Sequence, residues 1–192
     1  RLQHVRGTGT TAKVNLALNT QLEFKGRAGE KIAFACTGHH LDQIEKAFDA
    51  CKYGHLPPEP ILHIHIPSVS NPDLAPIGHS VVSIMVHFVP FGLQAQWDHN
   101  QMERLGDTVV STLERYLPGV SDAIVAREVL SPVDMQKRYG LVKGHILHGE
   151  HALDQLLLRP TPECAQYHTP IKGLYLCGSG SHPGGGITCG PG

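Results

Sequence analysis

The sequence contains few charged residues and no excess of either sign. Of 192 residues, 17% are charged, and 16 lysines and arginines stand against 17 aspartates and glutamates, giving a net charge of −1. Nucleic acids and anionic membranes are held by dense positive charge, and this chain provides no such field for either partner. A hydrophobic fraction of 41% also argues against a disordered chain, and the low charge predicts large buried or partner-covered surfaces.

Long apolar runs and paired cysteine motifs are missing too. No run approaches the roughly 20 apolar residues of a membrane span, so no transmembrane segment is predicted. The five cysteines are odd in number and widely spaced, without a C-x-x-C, which is typical of reduced thiols in a cytosol-like or matrix-like compartment. The chain begins at Arg1 and ends close to a predicted helix start, so we expect a piece of a longer protein.

Hydrophobic periodicity predicts an α+β fold. Strands are predicted where apolar residues alternate or run together, and helices where they recur every three or four residues. The predicted strands are 13–18, 31–36, 61–67, 80–90, 124–130 and 173–177, and the predicted helices are 41–51, 102–116 and 131–140. Asp98 and Ser131 are expected to cap the second and third helices. We expect a mixed, largely antiparallel sheet covered by helices on one side, with 61–67 paired to a central strand at 80–90.

The stretch GTGTTA at 7–12 matches the letters of the dinucleotide fingerprint G-x-G-x-x-G/A. That fingerprint binds a pyrophosphate only where a buried strand leads in and a helix leads out. Here RLQHVR precedes the match and the alternating KVNLALN follows it, so neither condition is met. We therefore interpret 7–12 as a flexible loop rather than a nucleotide site.

Histidine is abundant, with 14 residues, and one cluster contains candidate metal ligands. His145, His148 and His151 lie at offsets of three in GHILHGEH, beside Glu150, and imidazole and carboxylate groups are good zinc or iron ligands. On a helix these offsets span too wide an arc for one metal, and the neighbouring glycines disfavour a helix. Polar or cleft-lining histidines are therefore favoured, and a metal-dependent hydrolase is kept as an alternative.

A second pair of histidines, His63 and His65, shares one face of the predicted strand 61–67. Two interpretations of the pair stay open: satisfied imidazoles on a partly buried face, or the wall of a cleft. No G-x-S-x-G motif is present, so serine hydrolase chemistry has no nucleophile elbow. The sequence nominates no catalytic base.

The chain closes on GLYLCGSGSHPGGGITCGPG. Residues 174–177 predict a short buried strand, and Gly178 and Gly180 permit a sharp exit from it. Pro183 presets a turn or a first helical position, and 184–186 leave backbone N–H groups without side chains in front of them. A strand followed by a glycine turn and a helix N-terminus would form a binding place for an anionic or polar part of a cofactor. Composition alone also allows a tight, mobile glycine loop.

The closing stretch also resembles a known family. LYLCGSGSHPGGGI is similar to the carboxy-terminal flavin motif of the phytoene desaturase and carotenoid isomerase group, within the FAD-dependent amine-oxidase-like superfamily. Upstream, KVNLAL resembles the family's entry into the substrate domain, and the stretch from YLPGV to LLLRP resembles its later part. The resemblance covers nearly the whole chain, and the closing motif is its most specific part.

The resemblance implies an FAD-dependent oxidoreductase whose amino-terminal Rossmann-type part lies outside this chain. Residues 1–170 would form a substrate-binding domain, and 171–192 would form a returning segment of the FAD domain. The residues expected to contact FAD are Gly178, Ser179, Gly180, His182, Pro183, Gly184, Gly185, Gly186 and Ile187. His145 and His148 are expected to face the flavin or substrate cleft.

The chemistry implied by the resemblance is hydride transfer from a small, lipophilic substrate to flavin. Because half of the contacts to FAD are missing, the chain alone is expected to bind FAD weakly and to be inactive. One departure from the family pattern is that Ser179 and Gly180 stand where many amine-oxidase relatives have an acidic residue. A second is that Cys189 and Gly190 occupy places where relatives often read G-A-x-G. A non-catalytic scaffold or interaction domain that keeps the fold is a further alternative. The sequence leaves the oligomeric state open.

Overall fold

The computed structural model describes residues 5–186 and Gly190, which divide into two compact units. The first, the sheet unit, comprises Thr10–Asp134. The second, the loop unit, comprises the described residues up to Gly9 and from Met135 onward. The predicted division at residue 170 concerns the roles of the two parts in a whole protein, and it stays a prediction.

The sheet unit is built on five strands in the order β2-β3-β4-β1-β5. The strands are β1 (Thr11–Leu18), β2 (Phe34–Cys36), β3 (Ile61–His65), β4 (Ser80–His87) and β5 (Ile124–Leu130). Every pairing between these strands is antiparallel, so the α+β class is confirmed and the sheet is antiparallel rather than mixed. The predicted pairing of β3 with a central β4 is confirmed as well.

One face of the sheet is buried because apolar residues alternate along its strands. Val14 of β1 lies opposite Ile84 of β4, and both side chains are fully buried. Helix α3 adds its apolar stripe to the same core; the buried members of that stripe are Leu105, Val109 and Leu113. Burying one such side chain contributes about 1.5–3 kcal/mol, so this core is the main source of stability in the sheet unit.

The helices are α1 (Leu41–Lys52), α2 (Pro67–Ser70), α3 (His99–Glu114), α4 (Val120–Ala123), α5 (Pro132–Tyr139) and α6 (Leu153–Leu156). Short 3-10 turns lie at Pro72–Leu74, Val142–Gly144 and Pro162–Cys164. Within the described ranges, no helix is long and apolar enough to cross a membrane.

Both predicted helix caps are confirmed. The Asp98 carboxylate accepts a hydrogen bond from the backbone N–H of Gln101 at 2.8 Å, at the start of α3. At the start of α5, Ser131 Oγ accepts from the backbone N–H of Asp134 at 3.1 Å, and Asp134 Oδ2 accepts from the backbone N–H of Ser131 at 3.0 Å. This reciprocal pair is a capping box, which satisfies two backbone donors that the helix itself leaves unbonded.

Three predicted strands are shorter than expected. The strand predicted at 61–67 stops at His65, because Pro67 opens the short helix α2. The strand predicted at 31–36 is reduced to Phe34–Cys36, and the one predicted at 80–90 ends at His87. In β4 one face is buried and the other is half-buried, so the expectation of a strand surrounded by apolar residues on both faces is half right.

The short buried strand predicted at 173–177 is wrong. In the described part of the chain this stretch forms a single β-bridge, between Tyr175 and His168. Leu174 is 48% exposed and Tyr175 is 64% exposed. The apolar residues are there as predicted, but a strand is buried only where neighbouring strands or helices cover it.

The prediction of a flexible loop at 7–12 is also wrong. Residues 11 and 12 already belong to β1, and a strand rather than a helix follows the glycines, which confirms that the match is not a dinucleotide fingerprint. Gly9 is buried, its N–H donates to the carbonyl oxygen of Lys143 at 2.9 Å, and a Cβ there would lie 2.5 Å from the carbonyl oxygen of Gly144. The glycine is needed for close backbone approach, not for mobility.

Candidate functional site

The sheet face opposite the core forms a groove of about 540 Å³. Its lining includes Lys13, Phe34, Cys36, His63, His65 and Met85. The strand register explains why these residues meet: Met85 of β4 lies opposite Lys13 of β1 and opposite His63 of β3. Side chains of directly opposed residues share one face of a sheet, so four adjacent strands build this groove.

Aromatic and imidazole rings make much of the groove wall. The ring of Phe34 stacks on that of His65 with centroids 4.2 Å apart, although 70% of Phe34 is exposed. His63 and His87 meet edge to face, with centroids 4.3 Å apart. The predicted division of strand faces is confirmed, since Leu62 and Ile64 are buried on the other side. Of the two interpretations of the histidine pair, the geometry matches the cleft wall.

Burial lowers the pKa of two basic side chains on this face of the sheet. Desolvation, followed by repulsion from His63, lowers the pKa of His87 to about 4, so this imidazole is neutral at pH 7. Its Nε2 atom is buried and has no hydrogen-bond partner among the described residues. Desolvation also lowers the pKa of Lys13, whose Nζ donates to Ser83 Oγ at 2.5 Å. Sequence reasoning did not single out His87, the last residue of the mainly apolar strand β4.

The closing segment of the loop unit, residues 178–186, is a succession of turns. The backbone N–H of Ser181 donates to the carbonyl oxygen of Gly178 at 2.9 Å, and that of Gly184 donates to the carbonyl oxygen of Ser181 at 2.7 Å. His151 holds the segment from outside, because its Nε2 accepts from the backbone N–H of Gly185 at 3.1 Å. His182 Nδ1 lies 3.1 Å from the carbonyl oxygen of Leu156.

Gly184 occupies a position in this segment that only glycine fits. Its φ is +103°, in the region that side chains avoid. A Cβ there would lie 2.9 Å from His151 Nε2 and would overlap Nη1 of Arg159. The backbone at Gly184 therefore packs directly against the imidazole of His151 and the guanidinium of Arg159. This close contact explains why the motif has a glycine at this position.

The other predicted FAD contacts lie along the same segment, with different exposure. Gly184 is buried, whereas Ser179, Gly180, His182 and Gly185 are half-buried. Gly178, Pro183 and Gly186 are exposed. Ile187 and Cys189 lie outside the described residues, as does the predicted helix start. The role of this set in binding FAD stays a prediction.

The two predicted cleft histidines have different environments. His145 is half-buried, and its Nδ1 accepts hydrogen bonds from the backbone N–H groups of Leu147 and Gly149 at 3.2 and 3.3 Å. Desolvation lowers the pKa of His145, which favours the neutral acceptor form. His148 is exposed and lines a cavity of about 310 Å³ together with Gly180. His145 thus shapes its own loop, while His148 faces a space beside the closing segment.

The metal alternative finds no support in this geometry. Across residues 5–186 and Gly190, no group of three His, Cys, Asp or Glu side chains is arranged to hold a metal ion. One ring nitrogen of His145 and one of His151 already accept backbone hydrogen bonds. The cluster at 145–151 organises loops, and a metal-dependent hydrolase is not favoured.

Arg159 is the residue of this region that sequence reasoning missed. It is 3% exposed, and within the described ranges its Nη1 and Nη2 atoms have no hydrogen-bond partner. Desolvation lowers its pKa. The signal that could have found it is the context LLLRP: an arginine that follows three leucines and precedes a proline is a candidate for burial, and buried arginines are normally paired.

Comparison with known proteins identifies the relatives of the chain, although no family profile matches it. It is 40% identical to pyridine nucleotide-disulfide oxidoreductase domain-containing protein 2 of Rattus norvegicus, over 75% of the chain and 25% of that protein. It is 26% identical to the phytoene desaturase of Fusarium fujikuroi, over 83% of the chain and 32% of that protein. The chain belongs to the family of pyridine nucleotide-disulfide oxidoreductase domain-containing protein 2.

A limonene dehydrogenase polypeptide of Castellaniella defragrans is a further relative, 31% identical over 79% of the chain and 28% of that protein. The resemblance predicted from the closing motif is therefore confirmed, and the relatives place the chain among oxidoreductases at the level of the family. The chain spans only about a quarter to a third of the length of these three relatives.

Two features of the loop unit fit the FAD that such a family implies. Gly149 and Gly184 bring their main chain close to the guanidinium of Arg159, and that guanidinium, which has no hydrogen-bond partner among the described residues, is a complement for an anion. The histidines add polar edges without adding negative charge. The donor set is therefore compatible with a dinucleotide, which has a pyrophosphate.

Proposed function

We propose that this chain is the substrate domain and the returning flavin segment of an FAD-dependent oxidoreductase, which removes hydride equivalents from a lipophilic substrate. The observation that supports it most directly is the glycine-rich closing segment, which lies against a buried cation in a relative of phytoene desaturase. The names of two relatives specify phytoene and limonene, which are both apolar molecules.

The groove in the sheet unit supports the lipophilic substrate class. Phe34 and Met85 offer apolar surface along the lining, and His87, whose ring contacts that of the lining residue His63, is neutral at pH 7. The Lys13 ammonium is held by Ser83, which keeps the cation at the groove wall. An apolar substrate loses little on entering such a surface, whereas an anionic substrate would find only one amine.

In the flavin segment, backbone N–H groups and His182 would hold the cofactor, and the glycines would let it approach the main chain. FAD, when bound, accepts the hydride. The contribution of the chain is to bind and orient both molecules and to exclude water from them. Residues 1–170 and 171–192 keep the roles of substrate domain and flavin segment within this proposal.

The test is flavin content and reduction in the full-length protein that contains this chain. We expect the purified protein to show flavin absorbance in the visible range, released by denaturation as FAD. Under anaerobic conditions an apolar alkene of isoprenoid type should bleach that absorbance as the flavin is reduced. Phe34→Ser should weaken substrate binding in this assay, and Phe91→Ser, outside the groove lining, is the control.

Three outcomes separate the alternatives. A full-length protein without flavin contradicts the proposal altogether. Flavin that is bound but reduced by no donor would indicate a scaffold or interaction domain that keeps the fold without turnover. Flavin reduced by polar donors only would retain the oxidoreductase and overturn the lipophilic substrate.

A further inference from the structure

The guanidinium of Arg159 is a buried cation that no described residue of the chain pairs with. Its Nη1 and Nη2 atoms are hidden from solvent and make no hydrogen bond in the part of the chain that the structure describes. A cation that loses its hydration needs an anion or several acceptors in return. Arg159 is therefore placed to complement a group that these residues do not provide.

The acidic side chains on the neighbouring loop are already engaged. Arg6 donates through Nη1 and Nη2 to the two carboxylate oxygens of Asp154, at 2.8 and 2.7 Å. Its Nε donates to Glu150 Oε2 at 3.2 Å. An exposed arginine thus has two carboxylate partners, while the buried Arg159 has none among the described residues. These two carboxylates therefore pair with Arg6 and leave the guanidinium of Arg159 without either of them.

Two glycines bring the main chain against this guanidinium. A Cβ on Gly149 would lie 2.6 Å from Arg159 Nη2, and a Cβ on Gly184 would overlap Nη1. Both glycines have positive φ, +141° and +103°, so side chains are disfavoured there on two counts. Each terminal nitrogen of the guanidinium consequently faces the main chain of a glycine. Glycine main chain can shift to admit a ligand more readily than a packed side chain.

A cavity adjoins the arginine. Its volume is about 310 Å³, and Arg159, Gly149, Gly180 and His148 are among the residues that line it. That space corresponds to about ten water molecules at their liquid volume, which exceeds the size of a phosphate group. Gly180 belongs to the closing segment, so cavity, cation and glycine loop share one location in the loop unit.

We propose that Arg159 binds a phosphate-type oxyanion, namely the pyrophosphate of the flavin dinucleotide. A planar guanidinium with two free terminal nitrogens matches two oxygens of a phosphate in a bidentate contact. This inference rests on the proposed function and adds the residue that recognises the phosphate part of the cofactor.

The test compares two flavins that differ in their phosphates. Apoprotein is prepared from the full-length protein by removing its flavin, and affinities for FAD and for riboflavin are measured by fluorescence quenching. Arg159→Met should weaken FAD binding at least tenfold and leave riboflavin binding within twofold. Arg159→Lys keeps the positive charge but has no planar guanidinium, so its loss of FAD affinity should be smaller than that of Arg159→Met. Arg27→Gln is the control, because Arg27 is an exposed residue of the sheet unit that pairs with Glu30.

Inorganic pyrophosphate, used as a second probe, tests the anion without the ring system. It should compete with FAD in the wild-type apoprotein and compete less in Arg159→Met. The melting temperature of the flavin-free protein tests independently whether Arg159 has a structural role. Replacing an uncompensated buried cation by methionine should leave this temperature unchanged or raise it, even as FAD affinity falls.

Several results would overturn the inference. Equal losses for FAD and riboflavin would place the guanidinium at the ring or make it structural. A drop in the melting temperature of the flavin-free Arg159→Met protein would also make it structural. FAD affinity that is unaffected by Arg159→Met, in a wild-type protein that does contain flavin, would overturn this inference and leave the proposed function standing.

Discussion

The two units bury opposite kinds of residue. In the sheet unit the most buried side chains are aliphatic, on β1, β3, β4 and α3. In the loop unit none of the buried residues within the described ranges has an apolar side chain; they are Gly9, Gly144, Gly149, Arg159, Ser181 and Gly184. The sheet unit has a hydrophobic core of its own, and the loop unit is organised by close backbone approach and hydrogen bonds.

The difference indicates what each unit depends on. Hydrophobic burial is the dominant favourable term in folding, and the sheet unit obtains it from its own residues. In the loop unit, apolar side chains such as Val142, Leu153 and Ile171 are exposed. Among its described residues the loop unit has no buried apolar cluster, so these side chains contribute little hydrophobic burial of their own. We therefore expect the sheet unit to be stable by itself and the loop unit to be ordered by what it binds.

The largest expected effect comes from the core of the sheet unit. Ile84→Ala removes a fully buried side chain from the central strand β4 and should cost about 2–5 kcal/mol, as large-to-small changes in cores do. Hydrogen exchange of β1 and β4 amides in the full-length protein should accelerate at least tenfold. Ile77→Ala, at a fully exposed isoleucine, is the control and should change the free energy of exchange by less than about 0.5 kcal/mol.

The same measurement tests the comparison between the units. Amides of residues 145–186 should exchange quickly in both proteins when flavin is absent, because no hydrophobic core protects them. Slow exchange there in the flavin-free protein would show that the loop unit has stability of its own, and the comparison would then be wrong.

The sheet unit could be predicted from sequence because its periodicity is local. Alternation in 13–18 and 61–67 indicated the strands and the buried faces, and Asp98 and Ser131 indicated the helix starts from residue type alone. Strand ends were less accurate, since Pro67 begins a helical turn two residues after β3 ends. The order of strands could be predicted only for the pair β3 and β4.

The loop unit was predicted through resemblance rather than periodicity. Its motif correctly identified the relatives, but the strand at 173–177 did not form in the described residues, since burial depends on neighbours that local pattern does not specify. The contacts of Gly184 and Arg159 join residues 25 positions apart in sequence, and no helical or strand period relates them. Only three-dimensional structure reveals that the cation has no partner among the described residues.

A smaller effect is expected from the glycine backbone of the loop unit. Gly184→Ala places a Cβ against Arg159 and His151 and retains a positive φ, so we expect a cost of about 1–3 kcal/mol, from backbone strain and overlap together. The matched control is Gly173→Ala, where φ is +81° and nothing lies within 4 Å of the added Cβ.

The two glycine variants separate strain from contact. FAD affinity of the full-length apoprotein should fall at least tenfold for Gly184→Ala and less than threefold for Gly173→Ala. Similar losses in both variants would mean that backbone conformation matters and that approach to the guanidinium does not.

The smallest effect concerns the imidazole of His87 in the sheet unit. Because this unit is stabilised by apolar burial, we expect it to disfavour a charged side chain there. The pKa of His87 is lowered from 6.5 to about 4 by desolvation, so between these values the unfolded chain binds a proton that the folded chain does not. Stability attributable to His87 is therefore present above about pH 6.5 and is lost as the pH falls toward 4. Because the residue is only half-buried, we expect the loss to be on the order of 1 kcal/mol.

His87→Leu removes this titrating group and should flatten the decline in stability of the sheet unit between pH 7 and pH 5, measured by pulse proteolysis of the full-length protein. His79→Leu changes an exposed histidine of the same unit and should leave the decline as it is. A wild-type His87 ring that titrates near 6.5 by NMR would show that the groove face is hydrated rather than desolvating. In that case the sheet unit would tolerate charge beside its core, and the apolar character assigned to the groove would have to come from Phe34 and Met85 alone.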